Sequence, residues 1–453
     1  MSADALYEQA SRHIQAGDYA RAEAGLRQAL EFDPAHAAAH GNLGYVLARL
    51  GRSEEAEAAY RRSLELNPAL AEIQLNHGAV LARLKRLPEA EAAYLRAIAL
   101  RPNAPAGWSN LGTCYACMQR ELETEECHRK AIALDPTYAP ARYNLSYLLL
   151  RQARFEEGWA AFEARDWYAP FAAQLRCPRW RGEDLAAKRV LISYEPGHGD
   201  MMFFVRYAPL LKQRGAATTT LICHPGLQTL LTGLPGIDKI LPINTPLDAD
   251  AYDCWTPLAS LPHYSGTREG NIPARIPYLH AAPERMQAWA AQLPAGPRIG
   301  LVWKGNRHFE NDADRSLPAL QSLAPVLAVP GLNFISLQKG AGENENATGL
   351  LDFGPQLANF SDTAALVMNL DLVISVDTAV AHLAAALGKP CWLLLPDYKT
   401  DWRWFTNRSD SPWYPDVMRL FRQPRGGNWD PVLREVAIAL SQWTANMPPA
   451  AQT

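Results

Sequence analysis

Charge of one sign, long apolar runs and a regular cysteine pattern are all missing from this sequence, and each absence excludes something. Lys and Arg number 44 against 47 Asp and Glu, a formal net charge of -3 without a long block of either sign. A dedicated nucleic-acid surface and a polybasic membrane anchor are therefore not expected. No stretch approaches the roughly 18 uninterrupted apolar residues that a bilayer span requires. The opening residues Ser2-Ala3-Asp4-Ala5-Leu6-Tyr7-Glu8 lack the basic start and apolar core of a secretory leader. The expectation is a cytoplasmic protein with no transmembrane segment. Seven scattered cysteines, an odd count, form no disulfide framework. Cys114, Cys117, Cys127 and His128 lie close together, but in one helical segment where small Cys suits a core. No second pair of zinc-site spacing is near, and no metal is expected.

What is present is ordinary globular composition, 48% apolar and 20% charged over 453 residues, enough for two or three domains. The first third also carries a period. Pro34, Pro68, Pro102 and Pro136 recur every 34 residues; Gly44, Gly78 and Gly112 keep the same phase, as do Ala22, Ala56 and Ala90. That is the spacing of the tetratricopeptide repeat (TPR), a helix-turn-helix unit. Small residues allow the two helices to approach, Tyr60 and Tyr94 fill the space beside them, and proline ends the second helix. Four units are expected within 1–138. An altered helix pair and linker at 139–174 cap the stack, because one unit cannot bury its apolar face alone.

Asn42, Asn76, Asn110 and Asn144 also keep the period, at the sixth position of the first helix. A ladder of primary amides, which both donate and accept hydrogen bonds, suits an extended peptide backbone. The other reading is that each amide bonds within its own repeat. The ladder resembles that in the TPR part of the eukaryotic O-GlcNAc transferase, and the resemblance implies a protein or peptide ligand.

From residue 188 the rhythm changes to short β-rich runs separated by helical segments. Runs at 189–194, 219–223 and 239–243 form one set. After a helix at 283–293, runs at 299–303, 334–337, 370–376 and 391–395 form another, followed by a last helix at 431–443. Alternation of this kind predicts parallel sheets covered on both faces. The fold class is thus a TPR solenoid followed by two Rossmann-like lobes, 175–282 and 283–453, with a cleft between them. Ligands of such sheets bind beyond the carboxyl ends of strands.

The motifs lie at strand ends. Glu195-Pro196-Gly197-His198-Gly199-Asp200 leads into a helix expected from Met201. There Asp200 is either a general base or merely the helix N-cap. Trp303-Lys304-Gly305-Asn306 and Ser336-Leu337-Gln338-Lys339-Gly340 place polar and basic groups directly after apolar strands, where an anion would sit. Asp377-Thr378-Ala379, with His382 one turn on, brings backbone N–H groups and a hydroxyl to a helix start, unless Asp377 is only its cap. Trp402-Arg403-Trp404 offers aromatic faces for a sugar or base and a guanidinium for phosphate, or alternatively core packing. Asp248-Ala249-Asp250 mimics a metal-binding motif but falls in a surface loop of the first lobe.

Residues 175–440 as a whole resemble a bacterial TPR-linked glycosyltransferase family, similar in its motifs to the heptosyltransferases and distantly to O-GlcNAc transferase. The resemblance is carried by the loop 197–200, Arg206 to Leu211, Gly300 to Trp303, Arg315-Ser316, Leu370 to Leu387 and Asp401 to Trp404. Arg408 to Pro415 and Arg419 to Gln423 extend it. Pro196 and Ala385 depart from the family, which has Gln and Gly there. The resemblance implies a GT-B fold and a metal-independent, inverting transferase that uses a nucleotide sugar and no further cofactor. It makes Asp200 the base, and Lys304 with the turn of Asp377, Thr378 and His382 the donor diphosphate site; from the motif itself, Gly197, His198 and Gly199 are read as the acceptor loop. The second lobe would hold the donor through Lys304, Asn306, Gln338, Lys339, Asp377, Thr378, Ala379, His382 and Arg403. A lipid-linked or envelope saccharide as acceptor, and an inactive TPR scaffold, are the rival readings.

Overall fold

Three glycines determine how the helix pairs close. A Cβ on Gly44 would lie 2.7 Å from the Tyr60 ring, one on Gly78 2.6 Å from Tyr94, and one on Gly112 2.9 Å from His128. Only hydrogen fits where a ring lies this close to a facing helix. The computed structural model describes residues 2–248 and 250–446. In it the repeats are α1 (Ala3–Gln15) with α2 (Tyr19–Phe32), and α3 (Ala37–Arg49) with α4 (Ser53–Leu66). They continue as α5 (Ala71–Arg83) with α6 (Leu87–Leu100), and α7 (Pro105–Cys117) with α8 (Glu121–Leu134). The first helix of each unit touches the first helix of the next. Cys114, Cys127 and His128 are buried in this packing, and Cys114 Sγ lies 3.6 Å from the Leu87 carbonyl oxygen.

A fifth pair follows, α9 (Ala139–Arg151) and α10 (Phe155–Phe162). The chain divides into compact units at 148/149, inside α9. α10 and the linker thus go with the α/β part instead of forming a separate cap. The reason is aromatic: Trp159, 1% exposed, packs edge-on against Trp402 and Trp413 at 5.2 and 6.4 Å between ring centroids.

The second unit contains two all-parallel sheets. β1 (Arg189–Ser193), β2 (Thr218–Cys223), β3 (Lys239–Pro242) and β4 (Cys254–Pro257) run in the order β3-β2-β1-β4. β5 (Arg298–Val302), β6 (Asn333–Ser336), β7 (Leu350–Asp352), β8 (Leu372–Val376), β9 (Cys391–Leu395) and β10 (Met418–Arg422) run β10-β9-β8-β5-β6-β7. β4, β7 and β10 are additions to the sequence reading. Each lies at a sheet edge, and β7 is three residues long, too short for a pattern to register. Central β8 and β9 are buried throughout, as apolar runs covered on both faces must be. The last helix, Asp430–Ala445, buries Val432, Leu433, Val436 and Leu440 in the core of the second sheet.

Candidate functional site

Strand order reverses between β1 and β4 in the first sheet and between β5 and β8 in the second. Such switch points open a crevice at the carboxyl ends of the strands. The chain leaves β1 through Glu195, β5 through Lys304 and β8 through Asp377, so three of the motifs emerge at the two switch points.

The loop after β1 folds differently from expectation. The helix runs from His198 to Phe204 with Gly197 as N-cap, so His198, Gly199 and Asp200 lie in its first turn. Asp200 is therefore not the cap. Its carboxylate accepts a hydrogen bond from Arg403 Nη2, and it is 38% exposed while Arg403 is 8% exposed. Burial raises the Asp200 carboxyl above the usual aspartate range; Arg403 opposes this and Asp401 adds to it. Arg403 also donates to both oxygens of Asp401 at 3.0 Å. The guanidinium expected on a phosphate instead joins two carboxylates.

Gly199 brings the two lobes together. A Cβ there would lie 3.0 Å from His382 Cδ2 and 3.5 Å from the Ala379 Cα, so the His198–Phe204 helix rests on the start of the Ala379–Ala386 helix. The cap of the latter is Thr378, not Asp377. The Thr378 hydroxyl bonds with Ser375 Oγ at 3.0 Å, and Asp377 Oδ2 accepts the Trp404 indole N–H at 2.9 Å. Burial, then repulsion by Asp401, pushes the Asp377 carboxyl up to about 6. His382 is 6% exposed, bonds Tyr414 at 2.8 Å through Nδ1 and stacks on Trp404 at 5.3 Å. Burial, with Arg403 and Arg206 adding, holds it neutral, well below the usual histidine range. Trp402 and Trp404 are fully buried, which answers the alternative in favour of core packing.

The other donor-side candidates divide. Gln338, 1% exposed, accepts the N–H groups of Trp303 and Lys304 at 3.0 Å and donates to the carbonyls of Lys304, Lys339 and Ala341. Its amide is satisfied by backbone, so it shapes the loop after β5 instead of facing a ligand. Lys304 pairs with Glu345 and is 22% exposed. Lys339 is 53% exposed, with Glu343 at 2.9 Å. Asn306 is exposed and its side chain accepts the His308 N–H at 3.1 Å, an ordinary turn contact. In the acceptor loop, the His198 ring lies tilted against His224 at 4.5 Å and against Phe360 at 5.3 Å between centroids, and burial pushes it down to about 4. Asp248 and Asp250 are exposed, with Asp250 3.4 Å from Arg176; Ala249 lies outside the described residues.

Two charged groups that the motif reading gave no role lie at the same place. Glu195, 4% exposed, accepts the Ala259 N–H at 2.8 Å and so bridges the ends of β1 and β4. Arg165, 6% exposed, donates to Ser260 at 2.8 Å. A carboxyl directly after an apolar strand was a signal for the first; nothing local marks the second. In the repeats, Asn42 donates to Ser11 Oγ at 3.3 Å and Asn144 to Thr113 Oγ1 at 3.0 Å. Asn76 and Asn110 have Tyr45 and Ala79 at the corresponding positions and make no such bond among the described residues.

The chain is thus a helical repeat array followed by two parallel α/β sheets with charged loops at their switch points. Residues 7–71 and 50–105 match the tetratricopeptide repeat family. Residues 353–394, which include Asp377, Thr378 and His382, match glycosyltransferase family 9 (heptosyltransferase). The chain is similar to protein FlbA of Caulobacter vibrioides, 30% identical over 332 residues, covering 66% of this chain and 54% of FlbA. It thus spans about half the length of that relative. Among solved structures, Pseudomonas aeruginosa PilF is 26% identical over 36% of this chain and 74% of its own, with a TM-score of 0.34. YrrB, described as a TPR protein with an unusual peptide-binding site, is 22% identical over 38% and 91%, with a TM-score of 0.32. The two family matches support a glycosyltransferase with TPR repeats. No helix among the described residues is long and apolar enough to cross a membrane.

Proposed function

We propose that the protein is an inverting, metal-independent glycosyltransferase of GT-B type that moves a sugar from a nucleotide sugar to a hydroxyl of a protein or peptide. The observation that carries this is the contact at Gly199, which sets Asp200 beside the first turn of the Ala379–Ala386 helix. The N-terminus of that helix, with Thr378 and Lys304, would hold the diphosphate, because unpaired N–H groups and a cation stabilise negative charge there. The acceptor oxygen attacks the anomeric carbon and loses its proton to Asp200. The carbon–oxygen bond to phosphate breaks, and the nucleoside diphosphate leaves with both electrons. Arg403 supports this role for Asp200 by opposing the burial that favours the neutral acid.

The acceptor reading rests on Asn76 and Asn110, whose amides are left for a peptide backbone. Donor binding is tested by melting the protein with a panel of nucleotide sugars, since a ligand of the native state raises apparent stability. A shift with one class of donor, retained in Asp200→Asn while release of nucleoside diphosphate is lost, is the expected result. No shift with any donor favours an inactive scaffold. Transfer to a lipid-linked saccharide but to no peptide would exchange the acceptor class.

A further inference from the structure

A second carboxyl lies beside Asp200, buried and without an assigned task. Glu195 Oε1 takes the Ala259 N–H at 2.8 Å across the β1–β4 switch point. The next residue, Ser260, accepts from Arg165 Nη2 at 2.8 Å and from Arg179 Nη2 at 3.0 Å, which brings guanidinium groups to the same strand end. The Asp200 carboxylate folds back over this loop, where a Cβ on Gly197 would run into its Oδ2. The charged groups acting on Glu195 are Arg165 from the segment after α10, Asp200 from the His198–Phe204 helix, and Arg403 from the loop before β10. His224, after β2, meets the Glu195 carbonyl oxygen through Nε2 at 2.8 Å.

Two carboxyls held in one loop titrate as a pair, each one's charge raising the other's hold on a proton. We propose that Glu195 is a positioning residue: its charge, in the same buried loop as Asp200, sets how tightly Asp200 holds a proton. With Glu195 ionised, its negative charge repels that of Asp200, and Asp200 is the stronger base. With Glu195 neutral, that repulsion is absent and Asp200 is the weaker base. Burial pushes Glu195 up to about 7, with Arg165 and the Ala259 N–H opposing, so the exchange occurs near neutral pH. Arg165, from the segment after α10, also holds Glu163 at 3.2 Å, so the site receives a cation already paired with another carboxylate.

This inference rests on Asp200 as the base, and its test separates the two ideas. The full chain is melted without ligand between about pH 5 and 8.5 as wild type, Glu195→Gln, Asp200→Asn and the double variant, a window that spans the Glu195 titration. The folded chain holds the Glu195 proton up to about 7, and the unfolded chain releases it near 4.5. Stability from this group is therefore lost as pH rises through that window. Glu195→Gln should gain in melting temperature over wild type as pH rises, and gain less when Asp200 is already Asn. A pH-independent difference, or one identical in both backgrounds, overturns the proposal.

Release of nucleoside diphosphate from whichever nucleotide sugar the panel selects gives the second readout. Glu195→Gln should lower kcat about tenfold above about pH 7, as expected when the base becomes about ten times weaker, with the donor KM unchanged. Glu195→Asp, which keeps the charge, should restore the wild-type profile in part. An unchanged pH profile in both variants also overturns the proposal. If wild type releases nothing, or Asp200→Asn keeps turnover, the functional reading fails while the melting cycle still decides the coupling.

Discussion

Arg403 Nη2 donates to the carboxylate of Asp200 across 203 residues of chain, and the same guanidinium holds Asp401 at 3.0 Å. One cation from the second lobe thereby ties the first lobe's acid to the loop that carries Trp402 and Trp404. Replacing Arg403 by Gln leaves two carboxyls in a partly buried place without their counter-charge. The expected cost is about 2 kcal/mol, below the roughly 3–5 typical of a fully buried broken pair, because Asp200 is 38% exposed. Chemical denaturation at about pH 7.5 measures it. Activity of the variant should need higher pH, since Asp200 then binds its proton more tightly.

The lobe contact makes Gly199 sensitive to a single methyl group. Gly199→Ala places Cβ 3.0 Å from His382, whose ring is fixed by Tyr414 and Trp404 and cannot swing away. The helices must separate by a few tenths of an ångström. We expect kcat to fall about tenfold while the melting temperature changes little, since misplacement of reacting groups is costly in rate. An unaltered kcat would argue that the two helix starts need not touch.

Repeat packing predicts a similar sensitivity in the first unit. Gly78→Ala drives a methyl into the Tyr94 ring at 2.6 Å and should cost about 1–3 kcal/mol, the usual range for overpacking. Gly270, where an added Cβ meets nothing within 4 Å, is the control substitution. Loss of far-ultraviolet circular dichroism on heating reads both.

His128 occupies the ring position that Tyr60 and Tyr94 hold in earlier repeats, and burial pushes it down to about 4. The unfolded chain takes up a proton near 6.5, and the folded chain refuses it until about 4. Stability is therefore complete above the unfolded value and lost as pH falls through that window, by about 3 kcal/mol. His128→Tyr should leave stability at about pH 8 nearly unchanged and raise it at about pH 5. Equal melting shifts at both pH values would mean that the imidazole is not the acid-sensitive group.

The amide ladder divides into two kinds of residue. Asn42 and Asn144 bond to neighbouring hydroxyls, so their replacement by Ala should cost about 1 kcal/mol each in stability. Asn76 and Asn110 lack such bonds, and the double Ala variant should melt like wild type while losing transfer to peptide. Equal transfer by wild type and double variant would remove the groove from substrate binding.

Period and alternation made most of the architecture legible. The 34-residue spacing of proline and glycine places α1 to α8, because a helix pair must repeat the same small-against-large contact to stack at all. The central strands were readable as apolar runs, whereas edge strands β4, β7 and β10 were not. An edge strand is short or faces water on one side, so its pattern is weak. The motif positions at strand ends were likewise readable, since parallel sheets expose little else there.

What lay beyond the sequence was partnership. Gln338 has the composition of a ligand group, yet five hydrogen bonds to backbone occupy its amide. Arg403 has the chemistry of a phosphate clamp, and the fold presents it to Asp200 and Asp401 instead. Glu195 and Arg165 are well separated in the chain, and only the β1–β4 switch point brings them to one strand end. Sequence alone determined the repeat, the parallel sheets and the charged groups at strand ends, because these follow from local period and polarity. Tertiary structure decided which charge answers which, because Coulomb interactions depend on distance and burial, and neither is a property of chain order.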